Sequence, residues 1–155
     1  MKFFFTFFAA LVITTVQAQD HAFTLRGGLL HKSIAFESAN TIKAPGFYVG
    51  MQYQFIHFLT SVNYTMASAE GDSQSSIYVP LCSKFALAEK VYLIGGPALD
   101  FSLDSAETEN TRFGYTLGGS YELNDHLSID THYAMLFSKA SQMRQFTIGV
   151  LYQLN

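Results

Sequence analysis

Cysteine occurs once in the 155 residues, tryptophan not at all and proline three times, while charged residues make up only 14% of the chain. The single cysteine, Cys82, cannot close a disulfide within its own chain, which excludes a disulfide-stapled mini-protein. Scarce charge beside 15% aromatic residues excludes a disordered chain, whose composition runs the other way. Nine Lys and Arg stand against twelve Asp and Glu, giving a formal charge of −3 with no basic run, so nucleic acid is not expected as a partner. After the N-terminal segment nothing reads as a helix, and no run reaches 18 apolar residues. The length suits one domain.

What is present starts with a leader. Lys2 precedes an uncharged run over residues 3–16, and Val16-Gln17-Ala18 ends it in a small-x-small pattern. This layout predicts a signal peptide over residues 1–18, cleaved after Ala18, and a mature domain over residues 19–155 with a charge of −4. The run falls short of the ~20 residues a spanning helix needs. Export places the mature chain in an oxidising compartment, with Cys82 either a buried lone thiol or an intermolecular linker.

The mature chain repeats with period two, the mark of strands. In residues 46–56, Phe47, Val49, Met51, Tyr53 and Phe55 share one face; in 58–66, Phe58, Val62, Tyr64 and Met66 do. Residues 111–123, 127–137 and 145–154 alternate as cleanly, and 22–30, 76–86 and 91–103 less so. Eight segments of roughly ten residues match the length of a tilted bilayer crossing. Polar stretches over residues 32–44, 67–75, 104–110 and 138–143 alternate with tight turns near 56–57, 87–90 and 124–126. Long loops at one end and short turns at the other predict an eight-stranded antiparallel up-and-down transmembrane β-barrel.

A soluble lipocalin-like barrel would share the alternation, so the more polar face decides. It carries Arg26, Lys84, Asp100, Arg112, Glu122 and Asp130, and otherwise mainly Gly, Ser, Thr, Ala, Gln and Tyr. That is too little charge for a surface in water, and it suits a narrow lumen filled by side chains. The apolar face has no charge at its strand centres, where one would cost about 2–4 kcal/mol at mid-bilayer. Tyr53, Phe55, Phe58, Phe85, Tyr121 and Tyr152 fall near the short-turn end. Phe47, Tyr64, Phe101, Phe113, Tyr115, Phe137 and Phe146 fall near the loop end, as two interfacial girdles would. The backbone survives in lipid only if strand eight pairs with strand one.

The strand motifs Pro45-Gly46-Phe47-Tyr48-Val49-Gly50, Ile77-Tyr78-Val79-Pro80-Leu81, Tyr92-Leu93-Ile94-Gly95-Gly96-Pro97, Phe113-Gly114-Tyr115-Thr116-Leu117-Gly118-Gly119 and Phe146-Thr147-Ile148-Gly149-Val150-Leu151-Tyr152 occur in that order. In this the chain resembles the small outer-membrane β-barrel proteins, the PorT-like group of Bacteroidetes. The resemblance implies the barrel fold and a bacterial outer-membrane location, and the group's named member is linked to protein secretion. It implies no single activity.

Side chains that share the inward parity form the candidate site: a structural polar network of Arg26, Lys84, Asp100, Arg112, Glu122, Asp130 and His132. An Asp100–Arg112 pair across the fifth hairpin is expected, with Lys84 reaching Glu122, and Arg26 reaching Glu122 or Asp130. Asp130 and His132 alone make neither a triad nor a zinc site. His126-Leu127-Ser128 matches the His-x-Ser spacing of outer-membrane lipid deacylases, but it sits beside the turn at the periplasmic end. The first outer loop mixes Lys32, Glu37 and Lys43, and two others are acidic through Glu70 and Asp72, then Asp104, Glu107 and Glu109. The expectation is a monomer with no cofactor, metal or catalytic residue. Its contacts would be outer-membrane lipid and lipopolysaccharide, the barrel-insertion machinery and a surface or secretion partner. Its role would be structural or interaction-based, with an accessory part in secretion and a lipid acyl-chain hydrolase as the alternatives.

Overall fold

The computed structural model describes residues 21–36, 41–69, 72–104, 111–139 and 141–154; the leader segment and the loop acids Glu37, Glu70, Glu107 and Glu109 lie outside them. Eight strands follow in order: β1 His21–Phe36, β2 Thr41–Phe55, β3 Phe58–Ala69, β4 Asp72–Ala88, β5 Val91–Ser102, β6 Thr111–Glu122, β7 Leu127–Phe137 and β8 Ser141–Leu154. Each pairs antiparallel with its neighbours in sequence, and β8 pairs with β1 from Phe23↔Leu154 to Phe36↔Ser141, closing the barrel. No ladder is left with a full-length open edge, which satisfies the backbone where no water can.

The registers fix the barrel's shape. Stepping sideways from Leu25 through Met51, Val62, Val79, Leu99, Phe113, Phe137 and Gln142 returns to β1 at Ala35, ten residues further along the strand. With ~3.3 Å per residue and ~4.8 Å between strands, a shear of ten over eight strands tilts them by roughly 40°. Such a barrel is just wide enough for side chains to fill.

Period two then sorts every side chain. Leu29, Val49, Phe58, Leu81, Phe113, Leu117, Ile148 and Tyr152 are among the many large apolar residues exposed on the outer wall. Arg26, Gln52, Ser61, Asn63, Thr65, Asp100, Asp130 and Thr147 are buried inside. At this tilt the two sets of outward aromatic residues lie at levels roughly 18 Å apart. That spacing sits within the ~25 Å apolar band of outer-membrane barrels.

Two expectations need correction. The polar stretches at 32–44, 67–75 and 138–143 are mostly strand: β1 runs on to Phe36, β2 starts at Thr41, β3 and β4 pair to Ala69↔Asp72, and β8 starts at Ser141. The contrast between long loops and short turns is therefore weaker than polarity suggests. Strands of up to 17 residues exceed the 9–11 that cross a bilayer, so the wall continues past the membrane, where polar residues on it face water. Lys32 is consequently no loop residue. It follows Leu30 on the inward parity and is 2% exposed.

At the opposite end the turns are tight. Phe55↔Phe58 is the last pair of the β2–β3 hairpin, and Ile56 in its two-residue turn has φ 53°. A β-branched residue there carries strain that Gly or Asn would avoid.

Candidate functional site

The lumen holds three polar layers. The lowest lies at the short-turn end. Lys84 Nζ donates to Glu122 Oε1 at 3.1 Å, Tyr92 Oη donates to Glu122 Oε2 at 3.1 Å, and the ammonium sits 3.9 Å from the Tyr92 ring centroid. This layer is partly open to solvent. Above it Leu59, Cys82 and Ile94 pack together, so the thiol is a buried core group.

The middle layer converges on Asp130. Arg26 Nη2 donates to Asp130 Oδ2 at 2.5 Å and its Nη1 to Ser61 Oγ at 3.1 Å, while His132 Nε2 lies 2.8 Å from the same carboxylate oxygen. Tyr48 Oη donates to Asp130 Oδ1 at 3.2 Å. Tyr48 can span that distance because of glycine. Tyr48, Gly28, Gly149 and Asp130 are successive Cα partners around the wall, and a Cβ on Gly149 would collide with the Tyr48 hydroxyl. Two adjacent positions without side chains let the ring lie along the wall and reach over them. Parity alone does not put the Tyr48 hydroxyl in the network, because only the closed register brings Gly28 and Gly149 side by side.

The upper layer is a relay. Lys32 Nζ donates to Thr65 Oγ1 at 2.9 Å and to Ser76 Oγ at 2.8 Å; Ser76 Oγ donates to Asp100 Oδ1 at 2.6 Å; Arg112 Nη1 donates to Asp100 Oδ2 at 3.2 Å. Asp100 and Arg112 are Cα partners, 0% and 5% exposed. Five strands, β1, β3, β4, β5 and β6, are joined by this chain. Burying such charges is tolerable because Asp100 and Arg112 pair with each other and the Lys32 ammonium is hydrogen-bonded.

Beside the relay, on the facing part of the wall, the lumen is apolar. Ile34, Tyr78, Ala98, Ala134, Leu136 and Met143 form a buried cluster at the loop end. Of these, Met143 lies in a stretch that reads by polarity as connection. Between the layers lies a void of about 10 Å³, lined by Arg26, Tyr48, Asn63, Thr65, Tyr78, Pro80, His132, Gln145 and Thr147. That is room for about one water. Among the described residues, Arg26 Nε, Asn63 Oδ1 and Gln145 Oε1 around it are buried with no hydrogen-bond partner.

The arrangement staples strands and gives no substrate access to the buried Asp130–His132 pair. His126 and Ser128 line a small cup at the short-turn end beside Lys84 and Glu122. No hydrogen bond joins them among the described residues, and the His126 ring lies 6.3 Å from that of Tyr152. Asp104 accepts from the Ser75 backbone N–H at 3.1 Å, bracing the top of β4 against the end of β5.

Closed eight-strand connectivity, a shear of ten, a filled lumen and an apolar outer wall together define the fold of the small outer-membrane β-barrels. Comparison with solved structures places the chain among them by shape. Neisserial surface protein A superposes with a TM-score of 0.70 at 15% identity, covering 85% of this chain and 97% of that one. Ail, the attachment invasion locus protein of Yersinia pestis, gives 0.63 at 16% identity, covering 88% and 100%. A de novo designed transmembrane β-barrel gives 0.57 at 13%, covering 84% and 95%. No protein-family model matches the sequence, and no curated protein matches it. A designed chain among the neighbours makes the point that pattern and register suffice for this shape, so the likeness carries the fold and not a role.

Proposed function

We propose that the chain is a non-catalytic integral protein of the bacterial outer membrane, delivered by cleavage of residues 1–18, monomeric, and acting as a structural or interaction element at the cell surface. The observation that carries this reading is the pairing of an outer wall of exposed apolar side chains with a lumen filled by buried, hydrogen-bonded polar side chains. An inside that full leaves the membrane-facing wall and the loop rim as the surfaces with work to do. The resemblance of the strand motifs to the PorT-like group supports a second reading, an accessory part in outer-membrane secretion. An acyl-chain hydrolase would have to operate from the open cup around His126 and Ser128.

Fractionation tests the first statement. The mature chain should remain with the outer-membrane fraction through salt and carbonate washing, require detergent for extraction, and shift on gels between unheated and boiled samples. A mature chain that stays folded and monomeric in buffer without detergent would overturn the reading. Co-purification with a secretion component would move the role to the second reading, and a Ser128→Ala loss of lipid deacylation would move it to the third.

A further inference from the structure

Two cationic side chains leave the outer wall at one place. Arg144 on β8 and Lys43 on β2 are both exposed, and each is the Cα partner of Ser33 on β1, which lies between them. Two ladder spacings separate their Cα atoms by about 10 Å, so both flexible stems can converge on one group above the Ser33 hydroxyl. One row nearer the membrane centre come His31, Pro45 and Phe146, and the row after that is Leu29, Phe47 and Ile148. Leu29 is 68% exposed, the largest exposure among the wall's bulky apolar residues. The ledge thus passes within two rows from hydrocarbon-facing side chains through an aromatic to a pair of like charges.

Among the described residues nothing balances that pair. Among the described residues, the outward partners beside and above it are Met135, Phe137, Gln142, Ala35 and Thr41, none of them acidic. Like charges at an apolar boundary repel each other and lose hydration, and they persist there when an anion sits between them. The anion must belong to a molecule that also covers the apolar rows, which a free phosphate does not.

We propose that the Lys43–Ser33–Arg144 ledge binds the phosphorylated headgroup of lipid A in the leaflet at the loop end, with acyl chains lying over Leu29, Phe47, Phe146 and Ile148. This rests on the reading of the chain as an outer-membrane barrel. Arg144 offers the planar fork that matches phosphate oxygens, Lys43 adds a mobile point charge, and Ser33 donates a hydroxyl.

The test uses the full mature chain folded in detergent micelles, titrated with lipid A and separately with phosphatidylglycerol, with bound lipid counted by native mass spectrometry. Lys43→Ala/Arg144→Ala should weaken lipid A binding roughly 30-fold, each single variant roughly 5-fold. Arg144→Lys should keep most of the binding, and Lys90→Ala, at the opposite rim, all of it. Unchanged lipid A affinity in a folded double variant would overturn the ledge while leaving the barrel intact. Phosphatidylglycerol bound as tightly, with the same dependence on both residues, would reduce the site to general attraction for anions and overturn the assignment to lipid A. A wild-type chain that gives no heat-modifiable folded form fails earlier, and takes the membrane reading with it.

Discussion

Asp130 is the residue on which the lumen turns, since Arg26, Tyr48 and His132 all address its two oxygens. Removing it strands a guanidinium that has no route to water. Asp130→Leu should therefore cost about 3–5 kcal/mol of unfolding free energy, read by urea titration in micelles or vesicles. Adding Arg26→Met should recover most of that loss, because a buried pair exchanged for apolar side chains of similar volume is close to neutral. A double variant as unstable as the single one would mean that the layer's neutral hydrogen bonds, and not the stranded charge, set the cost. Gly149 belongs to the same argument. Its Cβ would collide with the Tyr48 hydroxyl and lie 2.6 Å from the Gly27 carbonyl oxygen. Gly149→Ala should thus lower stability by about 1–3 kcal/mol through overpacking, while Gly119→Ala, whose nearest neighbour would be 3.4 Å away, should change it little.

At the level of strands the informative feature is where they end. β1 stays laddered to β2 on one side and β8 on the other through Ala35, although its sequence turns polar at His31. Hydrogen exchange on the micelle-bound protein should find the amides of residues 31–35 as protected as those of 24–30. Exchange within seconds from His31 onward would restore the loop that polarity suggested. The comparison shows what an alternating sequence can and cannot convey. Parity places Arg26, Asp100, Arg112 and Asp130 inside, and eight apolar stripes give the strand count, because both depend only on period two. Strand ends depend on something else. A polar residue marks a connection when water lies all around it, yet Lys32 is polar and faces Thr65 and Ser76 inside the wall. The reverse holds for Leu136 and Met143, which are apolar and inward. Above the membrane the distinction between polar-in and apolar-out lapses, and sequence loses its guide to depth. Tyr48 over Gly149 was illegible for a different reason: it needs the β1–β8 register, which brings together residues about a hundred positions apart.

For the molecule as a whole, the central question is whether the closed wall encloses a path. A hydrated ion needs a continuous column of water, and this lumen is interrupted at two levels. At the loop end Ile34, Leu136 and Met143 close it with apolar side chains exposed by no more than 1%. Beside them the Lys32–Ser76–Asp100–Arg112 relay fills the same level, and below it the Arg26–Asp130 pair runs across the lumen, with a void of about 10 Å³ between the two levels. Passage would require parting a buried ion pair, whose disruption costs about 3–5 kcal/mol, as well as opening the apolar plug. Purified protein in planar bilayers should show no discrete conductance steps at moderate voltage. Leu136→Ala/Met143→Ala should be just as silent, although it should lose stability to the new cavity by about 2–5 kcal/mol per truncated side chain, because the Arg26–Asp130 layer still spans the lumen beneath. Steps in the double variant but not the wild type would assign the whole seal to the plug and make the charged layers permeable. Steps in both would mean that the side chains inside this barrel exchange partners fast enough to pass ions, and the lumen would then have to be counted as a working surface beside the loop rim and the lipid-facing ledge.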